Sequence, residues 1–218
     1  MAAAGLARVR ARVAAAAVGS GRAPESVRLV AVSKGRTVDE MLDVYQAGQR
    51  DFGENRAQEM AAKVPELPGD IRWHFVGPVQ RRKVKVIRPL THLLHSLDRV
   101  ALAAAWSGGD APPPATLLEV NLAAEPQKHG VLPADVDATL ATVAELGVVP
   151  CGLMVIPPAP EAAPDSRKWF VQLRELRDAL APTYPSLVEL SMGMTDDFEV
   201  AIEEGASMIR VGRAIFED

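Results

Sequence analysis

The chain has 218 residues, 48% of them hydrophobic and 24% charged, which is ordinary globular usage and excludes a disordered tail protein. With 24 Lys and Arg against 28 Asp and Glu, the net charge of −4 offers no basic footprint for nucleic acid. No window approaches the ~20 apolar residues that span a bilayer, and the single cysteine, Cys151, excludes an internal disulfide and fits a reducing, cytoplasmic location.

Residues 1–20 are rich in Ala, carry Arg8, Arg10 and Arg12, and lack acids, as a transit peptide would. Leu6, Val9, Val13 and Ala17 are nevertheless spaced along one helical face, Gly19 and Gly21 end the run, and Ser is scarce, so a first helix is expected. Apolar runs then predict strands at 28–33, 50–52, 72–77, 92–97, 115–121, 148–156, 187–191 and 207–212. Most are continuous in polarity, as in a parallel sheet covered on both faces. Between them lie helical stretches. Thr37-Val-Asp-Glu40 is a capping box for a helix running to Gly48, and Ser96 is expected to cap a segment reaching Trp106. Residues 134–146 and 167–180 follow, and Thr195, Asp196 and Asp197 put acids at the start of a last helix that Gly205 ends. Eight strand–helix alternations predict an α/β chain of one domain, 1–218, closed as a (β/α)8 barrel with an extra N-terminal helix. The open doubly wound alternative lacks a Gly-x-Gly-x-x-Gly after the first strand. The proline-bearing segments 107–114 and 157–164 are loops, the second either a lid or a tolerated insertion.

In a barrel, functional residues sit at the C-terminal ends of strands. Lys34 ends Leu29-Val-Ala-Val-Ser-Lys34, a partly desolvated place from which an amine attacks a carbonyl, or merely a solvated loop start. Gly212 and the Arg213 amide leave the last strand where barrels often hold phosphate. The preceding Ser191-Met-Gly-Met-Thr195 loop, with Met192 and Gly193, adds a hydroxyl and a second glycine to a plausible phosphate cup. Arg210, two residues before Gly212, points to the same side, toward a phosphate, a ring nitrogen or a structural partner such as Glu119. Glu54 and Asn55 either contact a ligand or cap a helix. His74 reads as a core strand histidine, while His92 and His95, three apart, fall on opposite faces and do not share a metal. Cys151 lies in an apolar run and reads as a small buried hydrophobe, not a nucleophile. No metal site and no catalytic set are expected. The basic segment Arg81-Arg-Lys-Val-Lys85 with Arg88 reads as a solvated helix face or an anion patch.

Seven motifs then occur in order: Val30-Ala-Val-Ser-Lys34, Phe52-Gly-Glu-Asn-Arg-Ala-Gln-Glu59, Arg72-Trp-His-Phe-Val-Gly77, His95-Ser-Leu-Asp98, Gly152-Leu-Met154, Leu190-Ser-Met-Gly-Met194 and Arg210-Val-Gly-Arg-Ala-Ile-Phe216. Over nearly its whole length the chain resembles the pyridoxal 5′-phosphate (PLP) homeostasis protein family, single-domain barrels related to the N-terminal domain of alanine racemase. The resemblance implies PLP held as a Schiff base on Lys34 and phosphate contacts from Ser191, Gly212 and the Arg213 amide. It also implies Arg210 at the pyridine nitrogen, with Asn55, His74, Met192 and Gly193 around the cofactor. The implied role is in vitamin B6 and amino-acid homeostasis with no established catalytic turnover, with PLP-dependent apoenzymes as candidate recipients and a monomer or weak homodimer as the assembly.

Alanine racemases continue into a β-rich domain that supplies a tyrosine base. No such segment follows the eighth strand here, which favours a carrier over a racemase-like enzyme. A cofactor-free Schiff-base aldolase is the third reading. The chain departs from the family at Pro78, at Arg82 within 81–83, at Val155 in place of a usual threonine, and at Glu217 in place of a glycine. These departures are expected to touch neither Lys34 nor the 210–213 segment.

Overall fold

The computed structural model describes residues 2–159 and 165–217. Eight strands pair in parallel and in chain order: β1 (Arg28–Val32), β2 (Asp51–Glu54), β3 (Arg72–Phe75), β4 (Leu93–Leu97), β5 (Ala115–Glu119), β6 (Gly152–Met154), β7 (Glu189–Ser191) and β8 (Met208–Val211). Strand β8 closes on β1 with Val30 opposite Arg210, so the expected (β/α)8 barrel is formed. The helices are α1 (Ala2–Gly19), α2 (Val38–Gln46), α3 (Ala57–Lys63), α4 (Val84–Ile87), α5 (Val100–Ser107), α6 (Val136–Glu145), α7 (Arg167–Leu180), α8 (Phe198–Glu203) and α9 (Arg213–Phe216). None among the described residues is long and apolar enough to cross a membrane.

Two apolar regions result. The main core lies between barrel and helices, while Leu93, Leu117, Met154 and Met208 form a separate small cluster. Helix α1 buries Leu6, Val9, Val13 and Ala17, the face that its spacing predicts, and packs on α8, α9 and α2. A side chain at Gly5 would put its Cβ 2.2 Å from the carbonyl oxygen of Ile215, so only glycine lets α1 press onto α9 at this point. The capping box of α2 forms as read: Thr37 Oγ1 accepts from the Glu40 N–H at 3.2 Å, and Glu40 Oε2 accepts from the Thr37 N–H at 2.7 Å.

Some expectations require correction. Ser96 caps no helix, because β4 runs through it to Leu97 and its hydroxyl donates to the Gly77 carbonyl at 2.5 Å. The sixth strand is shorter than 148–156, since Pro150 brings no N–H to the ladder and pairing starts at Gly152. The second strand runs on to Glu54. Arg81, Arg82 and Lys85 are exposed as read, but Arg88 is structural, donating to the Trp106 carbonyl at 2.7 Å and to the Ala111 carbonyl. Of the loop 157–164, residues 160–164 lie outside the described residues.

Candidate functional site

A cavity of about 600 Å³ opens at the C-terminal mouth of the barrel, lined by Lys34, Arg36, Asn55, Arg210, Gly212 and Arg213 among others. Lys34 is exposed, not partly desolvated as its place after an apolar run suggests, because β1 ends at Val32 and Ser33 takes the last buried position. The backbone on either side of it is fixed from below. Lys63 Nζ donates to the Ser33 carbonyl at 2.7 Å and to Glu59 Oε1 at 2.6 Å, and that same Oε1 accepts from the Gly35 N–H at 2.5 Å. Glu54, fully buried, accepts from Lys63 at 2.8 Å and from the Ser33 hydroxyl at 2.7 Å. Burial pushes the Glu54 carboxyl up, while the bonds from Lys63 and Ser33 pull it back. Glu54 does not line the cavity and caps no helix; it anchors the turn that carries Lys34.

Arg210 is 5% exposed, and each of its two terminal nitrogens makes a bond inside the barrel. One terminal nitrogen donates to Ser191 Oγ at 2.6 Å and the other to the Val155 carbonyl at 2.9 Å. Burial lowers its pKa to about 10, opposed by Glu119 and Asp197, so it stays cationic at neutral pH. Of the alternatives for Arg210, the ion pair with Glu119 is not made. From Ser191 a hydrogen-bonded chain continues across the interior: His95 Nδ1 lies 2.8 Å from Ser191 Oγ, His95 Nε2 lies 2.8 Å from His74 Nδ1, and His74 Nε2 lies 3.0 Å from Asp51 Oδ1. His74 and His95 meet because β3 and β4 pair with His74 opposite Leu93, which brings both rings inward.

The protons in this chain have one consistent order. A carboxylate only accepts, so His74 carries its proton on Nε2 and accepts at Nδ1. His95 then donates from Nε2 and accepts at Nδ1 from the Ser191 hydroxyl, whose oxygen in turn accepts from Arg210. Desolvation lowers the pKa of both imidazoles: at His74 the bond and charge of Asp51 oppose it, while at His95 the neighbouring ring and Arg210 act in the same direction. At the far end burial would raise the Asp51 carboxyl, but the bonds from Arg72 and His74 overcome it and hold it well below the ordinary carboxylate range. The residue read as a lone core histidine is thus one link in a relay from the barrel floor to Arg210.

The remaining predicted residues divide. Gly212 and Arg213 line the cavity with Thr195 of the preceding loop, but Ser191, Met192, Gly193 and His74 do not. Gly193 serves the turn: its φ is +93°, and a Cβ would come within 2.5 Å of the Ala201 Cβ. Asn55 lies at the wall with a buried Oδ1 that has no hydrogen-bond partner. The lining cations Arg36 and Arg213 are paired, with Glu217 and Asp196 respectively, whereas Lys34 and Arg210 have no carboxylate partner among the described residues. Two uncompensated cations and the free N–H groups of the first turn of α9 suit an anion.

Three of the four departures, all but Arg82, prove closer to the site than expected. The Val155 carbonyl holds Arg210, Pro78 and Glu217 line the cavity, and the Glu217 N–H donates to the Arg213 carbonyl at 2.8 Å. Val155 acts through its backbone, so a change of side chain leaves the contact in place. The Lys63–Glu59 support went unseen, although its i,i+4 spacing is a pattern that sequence can display. Met194 of the lining lies in the loop and motif already singled out, whereas Arg36 had no distinguishing sequence pattern. Cys151 is half-buried and its thiol is pushed up to about 11, chiefly by burial, in keeping with an inert side chain. Among the described residues no three His, Cys, Asp or Glu side chains gather as a metal site.

No protein-family model matches the chain. A pyridoxal phosphate homeostasis protein of Deinococcus radiodurans is 42% identical over 205 residues, covering 90% of this chain and 92% of the relative. The structure of PipY of Synechococcus elongatus with PLP bound superposes with a TM-score of 0.83 at 36% identity, over 99% of this chain and 100% of the other. Alanine racemase of Corynebacterium glutamicum, 14% identical with a TM-score of 0.72, matches 95% of this chain and 60% of its own and shares the fold. With sequence identity of this order along nearly its full length, the chain belongs to the pyridoxal phosphate homeostasis protein family.

Proposed function

We propose that this protein binds pyridoxal 5′-phosphate in the barrel mouth, covalently through Lys34, and acts in its cellular homeostasis without turnover of a substrate. One observation carries the reading: an exposed, unpaired lysine amine and a buried, unpaired guanidinium face a single cavity whose rim is a glycine-led helix start. The donor set fits the cofactor. The amides after Gly212 and the Thr195 hydroxyl suit its phosphate, Asn55 Oδ1 offers an unused acceptor, and Lys34 offers the amine for its aldehyde. PLP bound to a PipY relative, and the names of the curated relatives, support the same assignment.

When bound, PLP supplies an aldehyde that condenses reversibly with amines and a ring that withdraws electrons. Arg210, placed at the ring nitrogen, would be a fixed cation that disfavours a proton there and so weakens that withdrawal. The lining supports a carrier in a second way. Among the described residues its acids, Asp196 and Glu217, are each bound to an arginine, and no Tyr, His or Cys stands on the wall as a second acid or base. The free Cys151 suits work in a reducing cytoplasm.

The experiment is visible absorption of the purified protein with added PLP, followed by borohydride reduction and peptide mapping. The expected result is a yellow protein whose pyridoxyl group maps to Lys34, and a folded Lys34→Ala protein that yields no adduct. A folded wild-type protein that stays colourless would overturn the reading. Steady, Lys34-dependent release of inverted amino acid would move it to the racemase.

A further inference from the structure

Beside the main cavity, sharing with it the walls of Val76, Pro78 and Ile156, lies a smaller chamber of about 170 Å³. That is several times the ~30 Å³ share of one water, room for a small aliphatic molecule. Glu119, the last residue of β5, forms its inner wall. The other polar side chains around it are committed. Lys128 Nζ pairs with Glu125 at 2.6 Å and donates to the Pro157 carbonyl at 2.8 Å. Asn121 Nδ2 donates to the Glu125 carbonyl at 2.9 Å, Gln127 Nε2 to Glu125 Oε1 at 3.0 Å, and His129 Nδ1 meets Asp98 Oδ2 at 3.1 Å.

Glu119 is the exception. It is 6% exposed, and its carboxylate makes no hydrogen bond or ion pair among the described residues. A charge buried without a partner is expensive, and this one borders open space where a partner fits. The two cavities also differ in sign. Among the described residues the charges of the main cavity without an ion-pair partner are the cations Lys34 and Arg210, while the one of the chamber is an acid.

We propose that this chamber binds a small primary amine, its ammonium resting on the Glu119 carboxylate and its carbon atoms on Val76, Pro78 and Ile156. An ammonium brings the charge and the donors that Glu119 lacks. Burial and Asp98 push the Glu119 carboxyl up to about 7, with His129 and Arg210 opposing. Because the carboxylate form holds the ammonium, binding strengthens as pH rises through about 7. The proposal rests on the PLP reading for its consequence alone. A primary amine is the class of molecule that competes with a lysine for a carbonyl group, and the chamber would place that competitor beside the Lys34 cavity.

The test is an NMR titration of the full chain, with and without PLP, using ethylammonium as ligand and propanoate and propanol as controls. Ethylammonium is expected to saturate. Glu119→Gln, nearly isosteric, should weaken it about tenfold or more, and Gln127→Trp, which fills the exposed rim and keeps the carboxylate, should weaken it comparably. Undiminished binding to Glu119→Gln, or equal binding of propanoate at the same site, overturns the proposal. Visible absorption with added PLP is read in parallel. A protein that takes no PLP yet binds ethylammonium through Glu119 loses the cofactor reading and keeps this one, and the converse result does the opposite.

Discussion

Lys34 and Arg210 face the same cavity on neighbouring strand exits, yet Lys34 is exposed with an unrestrained side chain, while Arg210 is 5% exposed with two nitrogens committed. For Lys34 the backbone is what is fixed, through Lys63 and Glu59 holding Ser33 and Gly35. For Arg210 the side chain itself is fixed, through Ser191 and the relay behind it. On the proposed reading, a lysine that forms and releases a bond gains from a free tip on a firm base, and a cation that would face a ring nitrogen gains from a fixed place.

The largest effect should come from breaking the base under Lys34. Lys63→Met leaves Glu54 buried without its cation, and removing one partner of a buried pair costs about 3–5 kcal/mol. Denaturant unfolding should show that loss. Adding Glu54→Gln in the double variant should recover a large part of it, because no unpaired charge then remains buried. If Lys63→Met unfolds at the wild-type midpoint, the ion cluster does not support the turn.

Next is the relay behind Arg210. His95→Leu strands the Ser191 hydroxyl and His74 Nδ1 in the interior, at about 1–3 kcal/mol for each unsatisfied group. The comparison predicts a split that a general loss of stability does not produce. Bound PLP should dissociate several-fold faster because Arg210 is loosened, while borohydride should still place the adduct on Lys34, whose support is separate. His95→Gln, which keeps a polar link, should restore part of the slower release. Equal release rates for all three proteins would sever the relay from the site.

Much of this contrast was hidden in the sequence for physical reasons. The barrel was legible because each strand is a short apolar run, and most are bounded by a cap, a glycine or a proline. Lys34 and Gly212 were legible because a strand's end fixes where its next residue emerges. The relay was not legible. His74 and His95 touch only once β3 and β4 are in register, and Ser191 reaches Arg210 and His95 only inside a closed barrel. Polarity alone likewise left Glu54 undecided between ligand contact and cap, since its partner Lys63 reaches it from α3. Gly5 looked like an ordinary helix glycine because the carbonyl that demands it belongs to Ile215, at the other end of the chain.

The smallest effect should be at Arg213, and it sharpens the comparison from the exposed side. Its side chain is 64% exposed and already bound to Asp196, so it resembles Lys34 in exposure but neither anchors nor is anchored by the interior. An exposed ion pair of this kind contributes about 0–1 kcal/mol. If the phosphate is held by the backbone N–H groups at the start of α9, Arg213→Ala should weaken PLP binding by less than about fivefold. A β-branched residue at Gly212 should do more harm, because even a Cβ there lies 3.1 Å from the Val32 carbonyl oxygen. Equilibrium dialysis of PLP against both variants separates the two contributions. A loss at Arg213→Ala as large as at Gly212→Val would assign the phosphate to the guanidinium and make exposure a poor guide to which cations of this cavity matter.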